Sequence, residues 1–342
     1  MEPADTPPRA PEPPSSSELL RGIQLSKFFA LPGGALKKAQ IVRAVEDVSI
    51  EIGPRETVGL VGESGSGKTT LGRLLLRLAE PTFGQVWFEG REITHYHERD
   101  LRPLRKSLQV LFQDAAASLD ERWTVAEIVA EPFGIHGLLR APAARSERVA
   151  ELLRSVGLAP ELQSRRPHEL SSGQCQRVSI ARALALDPRF IVCDEPIAAL
   201  DASDQLRVVE LLRSLQETRR HSYLFISHDL RMVLHLSQRV LVMYAGRVVE
   251  SASTRELRHL ARHPYTRALL NAVPEVDPQR RRLRVLLEGE PPSPFRPISG
   301  CPFHPRCPRA HADPCEREAP PLLPTAPDAL HEVACWFPHE PG

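Results

Sequence analysis

The sequence predicts an α/β fold with an inserted helical subdomain and a small Cys/Pro-rich C-terminal appendage. Three observations carry this. A glycine-rich run, Gly62-Glu63-Ser64-Gly65-Ser66-Gly67-Lys68-Thr69-Thr70, follows the apolar stretch 58–61 and opens an amphipathic segment at 71–78. Short buried-type apolar runs at 190–193 and 223–226 end on polar residues, Asp194-Glu195 and Ser227-His228-Asp229. Past about Ser253, proline and arginine rise and apolar periodicity fades. A chain of 342 residues is long enough for one large domain and such an appendage.

Composition excludes several classes. The formal net charge is +1 with 25% charged residues, so no global basic field argues for nucleic acid as a partner. The longest basic run, Arg280-Arg281-Arg282 with Arg284, reads as a solvated face. No apolar run approaches the ~20 residues needed to cross a bilayer, and the N-terminus lacks a secretory-type hydrophobic segment. The expectation is a chain that stays in the cytosol, its six cysteines reduced thiols or metal ligands rather than disulfides.

Taken in order, residues 1–18 read as a Pro-rich disordered tail, with prolines removing donors and little apolar surface to bury. A strand is expected at 22–29, ending on Phe28-Phe29 before the turn formers Pro32-Gly33-Gly34. An aromatic there could stack on a base or simply pack in the core. Further strands are expected at 85–88 and 108–112, the second leading to Gln113. Residues 124–137 and 144–156 read as helices, with Val149, Leu152, Leu153 and Val156 on one face, which marks a helical subdomain over about 114–169. The polar turn Leu170-Ser171-Ser172-Gly173-Gln174 opens a helix through Ala185, another helix spans 203–219, and 239–243 with 247–250 form a hairpin around Ala245-Gly246. Cys175 and Cys193 read as small buried side chains.

The glycine-rich run has the chemistry of a phosphate-binding loop. Glycines let successive backbone N–H groups turn inward around an anion. The helix start adds unpaired amides and a positive dipole end. Lys68 brings a full charge to the outer phosphates, and the Thr69 hydroxyl can ligate Mg²⁺. Two adjacent carboxylates, Asp194 and Glu195, end a strand where open α/β sheets place ligand chemistry.

The motifs Gly62 to Thr70, Gln113, Leu170 to Gln174, Cys193-Asp194-Glu195-Pro196, Ala199-Leu200-Asp201 and His228 stand in the order found in ATP-binding cassette (ABC) ATPases. Over residues 19–253 the chain therefore resembles that P-loop NTPase family. Beyond it, His263-Pro264-Tyr265-Thr266-Arg267-Ala268-Leu269-Leu270 and Cys301-Pro302-Phe303-His304-Pro305-Arg306-Cys307-Pro308 look like the C-terminal extension of peptide and nickel importer ATPases, within 254–342.

The resemblance implies ATP held between two subunits arranged head to tail, each phosphate loop facing the partner's signature turn. It assigns Thr69 and, through a water, Asp194 to Mg²⁺, with Gln113 reaching the metal and the attacking water. Glu195 becomes the candidate general base and His228 a γ-phosphate contact. Ser171, Gly173, Gln174 and Asp201 become nucleotide-site residues, and Phe29 the adenine platform with Phe28 an open alternative. The implied assembly is a dimer of ATPase subunits on two transmembrane permease subunits at the cytoplasmic face of the inner membrane, served indirectly by an extracytoplasmic solute-binding protein. Peptides are the first expected cargo and nickel or another small solute the second. Soluble ABC ATPases acting on ribosomes or DNA commonly carry two cassettes or a long arm, and this chain has neither. Intact Glu195 and His228 argue against a regulatory module without turnover. Two departures from the family pattern stand out, Ser172 where a glycine is usual and Ala198 where many relatives have serine. Together they suggest a heterodimer with unequal sites.

Cys301, Cys307, Cys315 and Cys335 fit neither a zinc ribbon nor the common ferredoxin runs by spacing. A proline-rich segment with few apolar residues nevertheless needs a staple, which favours metal binding. Resemblance to the importer ATPases tips the expectation to a [4Fe–4S] cluster over Zn²⁺, with His304 and His311 as spare nitrogen ligands.

Overall fold

The computed structural model describes residues 18–31, 40–272, 289–290, 292–293, 295, 298–327 and 329–340. The tail at 1–17, the turn at 32–34 and the basic run at 280–284 lie outside them. In chain order the first elements are β1 (Leu20–Leu31), β2 (Gln40–Ile52), β3 (Thr57–Val61), α1 (Lys68–Leu75), β4 (Phe83–Phe88), β5 (Arg91–Glu92), α2 (Glu98–Leu104) and β6 (Leu108–Leu111). Helices α3 (Ala115–Ser118), α4 (Val125–Ile135), α5 (Pro142–Ser155) and α6 (Ser172–Leu184) follow. Next come β7 (Phe190–Asp194), α7 (Ala202–Arg219), β8 (Ser222–Ile226), α8 (Leu230–Leu236), β9 (Arg239–Tyr244) and β10 (Arg247–Ser253). The extension supplies α9 (Thr254–Leu260), α10 (Pro264–Ala272), β11 (Leu323–Pro324) and β12 (Glu332–Val333).

Two sheets form. Strands β2-β1-β4-β5 make an antiparallel sheet, and β11-β12-β10-β9-β3-β8-β7-β6 make the main one, parallel from β9 through β6. The parallel strands β3, β7 and β8 are buried at every residue, which accounts for continuous apolar runs in place of alternation. Between the sheets, Leu71, Leu74 and Leu75 of α1 pack with Val48, Ile50, Val192 and Ile226. The opposite face of the main sheet packs on α4, α5 and α6 through Ile128, Val129, Leu152, Leu153, Val178 and Ala181. Helix starts are chemically fixed by capping boxes at Thr124/Glu127 and Ser171/Gln174, and by Asp201 capping α7. Among the described residues no helix is long and apolar enough to cross a membrane.

The extension, expected to stand apart, is joined to the core. β12 pairs antiparallel with β10, Glu250 opposite Val333, and so lengthens the main sheet. Phe303 is buried edge-on against Tyr244, with ring centroids 5.2 Å apart, and lies 5.5 Å from Tyr265. The carboxylate of Glu250, wholly buried, accepts from the backbone N–H of Arg262 (2.7 Å) and His263 (3.0 Å) and lies 2.8 Å from His331 Nε2. A buried carboxylate persists only with such a set of partners.

His263 lies in this same buried seam, its Nδ1 accepting the Tyr265 amide at 3.1 Å. Burial lowers its pKa from the ordinary 6.5 to about 4, against the pull of Glu250. The unfolded chain therefore takes up a proton that the folded one refuses. Stability present above pH 6.5 is lost as pH falls toward about 4, by up to about 3 kcal/mol. Urea unfolding across that range should show a steeper acid loss for wild type than for His263→Gln; equal slopes would refute the linkage.

Candidate functional site

The site is built where three parallel strands end in register. Asp194 of β7 lies opposite Ile226 of β8, which lies opposite Leu60 of β3. The ladder continues past the strand ends, with Glu195 N–H donating to Ile226 O (2.9 Å) and Ser227 N–H to Leu60 O (3.2 Å). Leu111 of β6 pairs with Cys193, so Gln113 leaves the sheet on the same edge. Carboxylates, amide and imidazole thus converge on the loop that follows β3.

That loop is shaped by two close approaches. At Gly67 φ is +103°, and a Cβ would come within 2.1 Å of Ala44 O; at Gly62 a Cβ would come within 2.1 Å of Met243 O. Only glycine fits either place. Lys68 opens α1 and is only 5% exposed. Its Nζ donates to Gly62 O and Glu63 O, each at 2.9 Å, and to Ser66 Oγ at 3.4 Å. Burial lowers its pKa, opposed by Glu195, Asp194 and Glu63. Ser64 and Gly65 are exposed at the tip, and Thr70 is half-buried in the first turn of α1.

The Thr69 hydroxyl donates to Asp194 Oδ1 at 3.0 Å. Burial raises the Asp194 carboxyl, with the Thr69 hydrogen bond acting against it. A hydroxyl and a carboxylate fit Mg²⁺, which takes one or two protein oxygens and completes its shell with phosphates and water. Glu195, next in sequence, has φ +48°, a left-handed conformation that ends the extended run of β7. Its Oε2 lies 3.2 Å from His228 Nδ1 and accepts from Gln113 Nε2 at 3.5 Å. The structure therefore makes two neighbouring groups, Thr69 with Asp194, and Gln113 with Glu195 and His228. An open cleft of about 770 Å³ joins Thr69, Gln113 and Asp194 to Phe112, Glu131 and His136 beside the helices.

Other expected residues lie elsewhere. Ser171 and Gln174 cap α6 through reciprocal hydrogen bonds of 2.9 and 3.2 Å, and Gly173 packs against the Asp204 carboxylate. Asp201 caps α7, accepting from Ser203 and Asp204 amides. Among the described residues no hydrogen bond joins these turns to the phosphate loop of the same chain. Ser172 is exposed in the first turn of α6, where right-handed backbone accepts a Cβ, so this departure imposes no backbone strain. Ala198 is exposed, its N–H donating to Glu195 O at 3.2 Å. Phe29 is 41% exposed under Lys27 Nζ, whereas Phe28 is half-buried edge-on to Phe83, which leaves Phe29 the more available face.

Two residues that sequence reasoning did not assign to the site, Arg306 and Tyr265, reach it from afar. Arg306 donates twice to Glu63, Nη1 to Oε2 at 2.7 Å and Nη2 to Oε1 at 3.1 Å, and once to Tyr244 OH at 3.3 Å. Tyr265 OH accepts the Glu63 N–H at 2.8 Å. Glu63 thus serves the loop as an anchored residue, its carboxylate turned to the extension. The available signal was an acidic residue inside an anion-binding loop, which demands a cation somewhere.

The expected metal centre finds no support. Among the described residues no group of three or more His, Cys, Asp or Glu is arranged to hold a metal ion. All six cysteines are free. Burial raises the thiols of Cys301, Cys307 and Cys335, the last to about 11, with its three neighbouring cysteines adding to the rise. The four thiols are near neighbours, and the backbones of two of these residues are joined by a Cys301 N–H to Cys315 O hydrogen bond of 2.8 Å, but among the described residues no three of them are arranged as a ligand set. Cys175 and Cys193 are packed in the core.

Comparisons with known proteins agree with this geometry. A family model described as "ABC transporter" matches residues 45–198, and one described as "Oligopeptide/dipeptide transporter, C-terminal region" matches 249–315. The chain is 48% identical over 321 residues to the probable peptide ABC transporter ATP-binding protein y4tS of Sinorhizobium fredii, covering 94% of this chain and 90% of that protein. It is 46% identical over 315 residues to the oligopeptide transport ATP-binding protein AppF of Bacillus subtilis, covering 91% and 94%. Among solved structures, the dimeric, post-hydrolysis ATP-binding cassette MJ0796 bound to ADP and Pi superposes with a TM-score of 0.63 at 27% identity, covering 69% of this chain and 99% of that one. The phosphate loop, the carboxylate-ended strands and the C-terminal extension thus have one common explanation: the chain belongs to the ABC transporter ATP-binding family, in the branch with the oligopeptide/dipeptide transporter C-terminal region.

Proposed function

We propose that this chain is the ATP-hydrolysing, energy-coupling subunit of an ABC importer for peptides or similar small solutes, working as a dimer of nucleotide-binding subunits on a membrane permease. The observation that carries the reading is the convergence of Lys68, the Thr69–Asp194 pair and Glu195 with His228 and Gln113 on one sheet edge. The peptide assignment rests on relatives whose names give peptide or oligopeptide transport.

The chemistry follows from these residues. Lys68 and the loop amides neutralise charge at the β- and γ-oxygens. Thr69 and Asp194 would hold Mg²⁺, which would supply further charge neutralisation to the triphosphate. Glu195 orients the attacking water and accepts its proton, while His228 holds the γ-phosphate side of that geometry. The exposed Ser171 turn serves the partner's nucleotide, and Phe29 offers a face to adenine. In this reading the helical layer couples Gln113, across the cleft beside α4, to cytoplasmic loops of two permease subunits at the inner face of the membrane. An extracytoplasmic solute-binding protein acts further upstream.

The heterodimer reading rests on Ser172 and Ala198. Glu195→Gln should retain MgATP binding and lower turnover of the permease complex by about 10²-fold or more, with a different loss when the partner's matching glutamate is changed. Equal losses would remove the inequality, and unchanged turnover would remove Glu195 as base. Gly67→Ala should weaken MgATP binding about tenfold or more, because the loop must move to admit the Cβ. Calorimetric titration checks this, and wild-type affinity would refute it. A [4Fe–4S] cluster at Cys301, Cys307, Cys315 and Cys335 remains the finer proposal, drawn from the resemblance alone. Iron and sulfide in anaerobically purified protein at about four each per chain would support it. Stoichiometric zinc would favour the alternative ion, and neither metal would leave a packed thiol group.

A further inference from the structure

We infer that Arg306, brought back by the C-terminal extension, is a positioning residue for the phosphate loop: it fixes and neutralises Glu63 so that the loop can accept a polyphosphate. The inference rests on the nucleotide-binding reading above and adds a part to it. Glu63 sits between Gly62 and Ser64, inside the segment whose amides must receive an anion. A carboxylate there repels the ligand unless a cation offsets it. The guanidinium of Arg306 meets it as a two-pronged fork, and their side chains are 6% and 26% exposed, so water screens the pair poorly.

The same residue is held at every polar group. Its N–H donates to the buried Tyr265 hydroxyl at 2.8 Å, its carboxylate takes Arg306, and its carbonyl accepts from Lys68 Nζ at 2.9 Å and the Ser66 N–H at 3.2 Å. Arg306 itself is aimed by a tight turn, in which its N–H donates to Phe303 O (3.0 Å) and Cys307 N–H donates to His304 O (3.2 Å). Phe303 is locked between Tyr244 and Tyr265. The loop's entry shoulder is thus set by a residue 243 positions away in sequence.

A simple staple between extension and core would give the same contacts, so the test separates charge from attachment. MgATP dissociation constants are measured on the full chain by displacement of a fluorescent ATP analogue, with melting midpoints recorded for each variant. Arg306→Gln should weaken binding about tenfold, because an uncompensated carboxylate then lies within the loop that receives the phosphates. The double change Glu63→Gln with Arg306→Gln should recover affinity to within about threefold of wild type, because no net charge remains to repel the ligand. Arg306→Lys keeps the charge without the fork and should fall between; it carries the comparison with the double variant if Arg306→Gln does not fold. Wild-type affinity in Arg306→Gln, or a double variant as weak as that single one, overturns the inference. Lys68→Ala in the same assay guards the underlying reading: if it binds MgATP as wild type does, nucleotide binding at this loop fails, whereas its loss beside an unaffected Arg306→Gln sinks only the role of Arg306.

Discussion

The ammonium of Lys68 is almost entirely withdrawn from water, and the architecture around it follows from keeping that charge in place. An isolated buried cation would give up its proton or pull the loop open. Two backbone carbonyls of the loop receive it at 2.9 Å, and three carboxylates within its field oppose the effect of burial. Those carboxylates come from different parts of the chain, Glu63 from the loop and Asp194 and Glu195 from the end of β7. They meet because the parallel register of β3, β8 and β7 stops all three strands at one level.

Three acidic groups so close to an anion site have to be kept from repelling what the loop binds. Each is given its own counterpart. Asp194 takes the Thr69 hydroxyl and is suited to a divalent cation. Glu195, directly after Asp194 and in a left-handed backbone conformation, faces His228 and Gln113. Glu63 takes Arg306. The division is one of partners more than of residue type, since the same carboxylate chemistry meets a hydroxyl, an amide with an imidazole, and a guanidinium in turn.

What could be read from sequence was what is local. The glycines at 62 and 67 declare their conformations by their spacing from Lys68, and β7 and β8 declare burial by unbroken apolar runs. Strand β2 was missed because its alternation is broken: pairing with β1 shifts register three times, and Asp47 takes φ +51° at a bulge. The cysteines suggested a metal centre because their segment lacks apolar residues. The structure shows a staple of another kind, Phe303, Tyr265 and the buried Glu250 carboxylate, which come from both sides of the seam. The Gln174 and Asp201 side chains are helix caps, a role any N-terminal polar residue can hint at, whereas the service to a partner subunit proposed for them has no local signature. Arg306 was invisible for the plainest reason, that its meaning depends on a contact made across most of the chain.

The pairing of β12 with β10 has a bearing on how the molecule is made. A ribosome completes the catalytic strands and the glycine loop long before it releases Arg306 and the closing strand at Glu332–Val333. Until then the edge of β10 is open and the aromatic seam around Tyr244 lacks Phe303. A nascent cassette therefore acquires its full nucleotide grip among the last events of biosynthesis. Truncated products, lacking only the distal fifth, would emerge with every signature motif and an unanchored pocket.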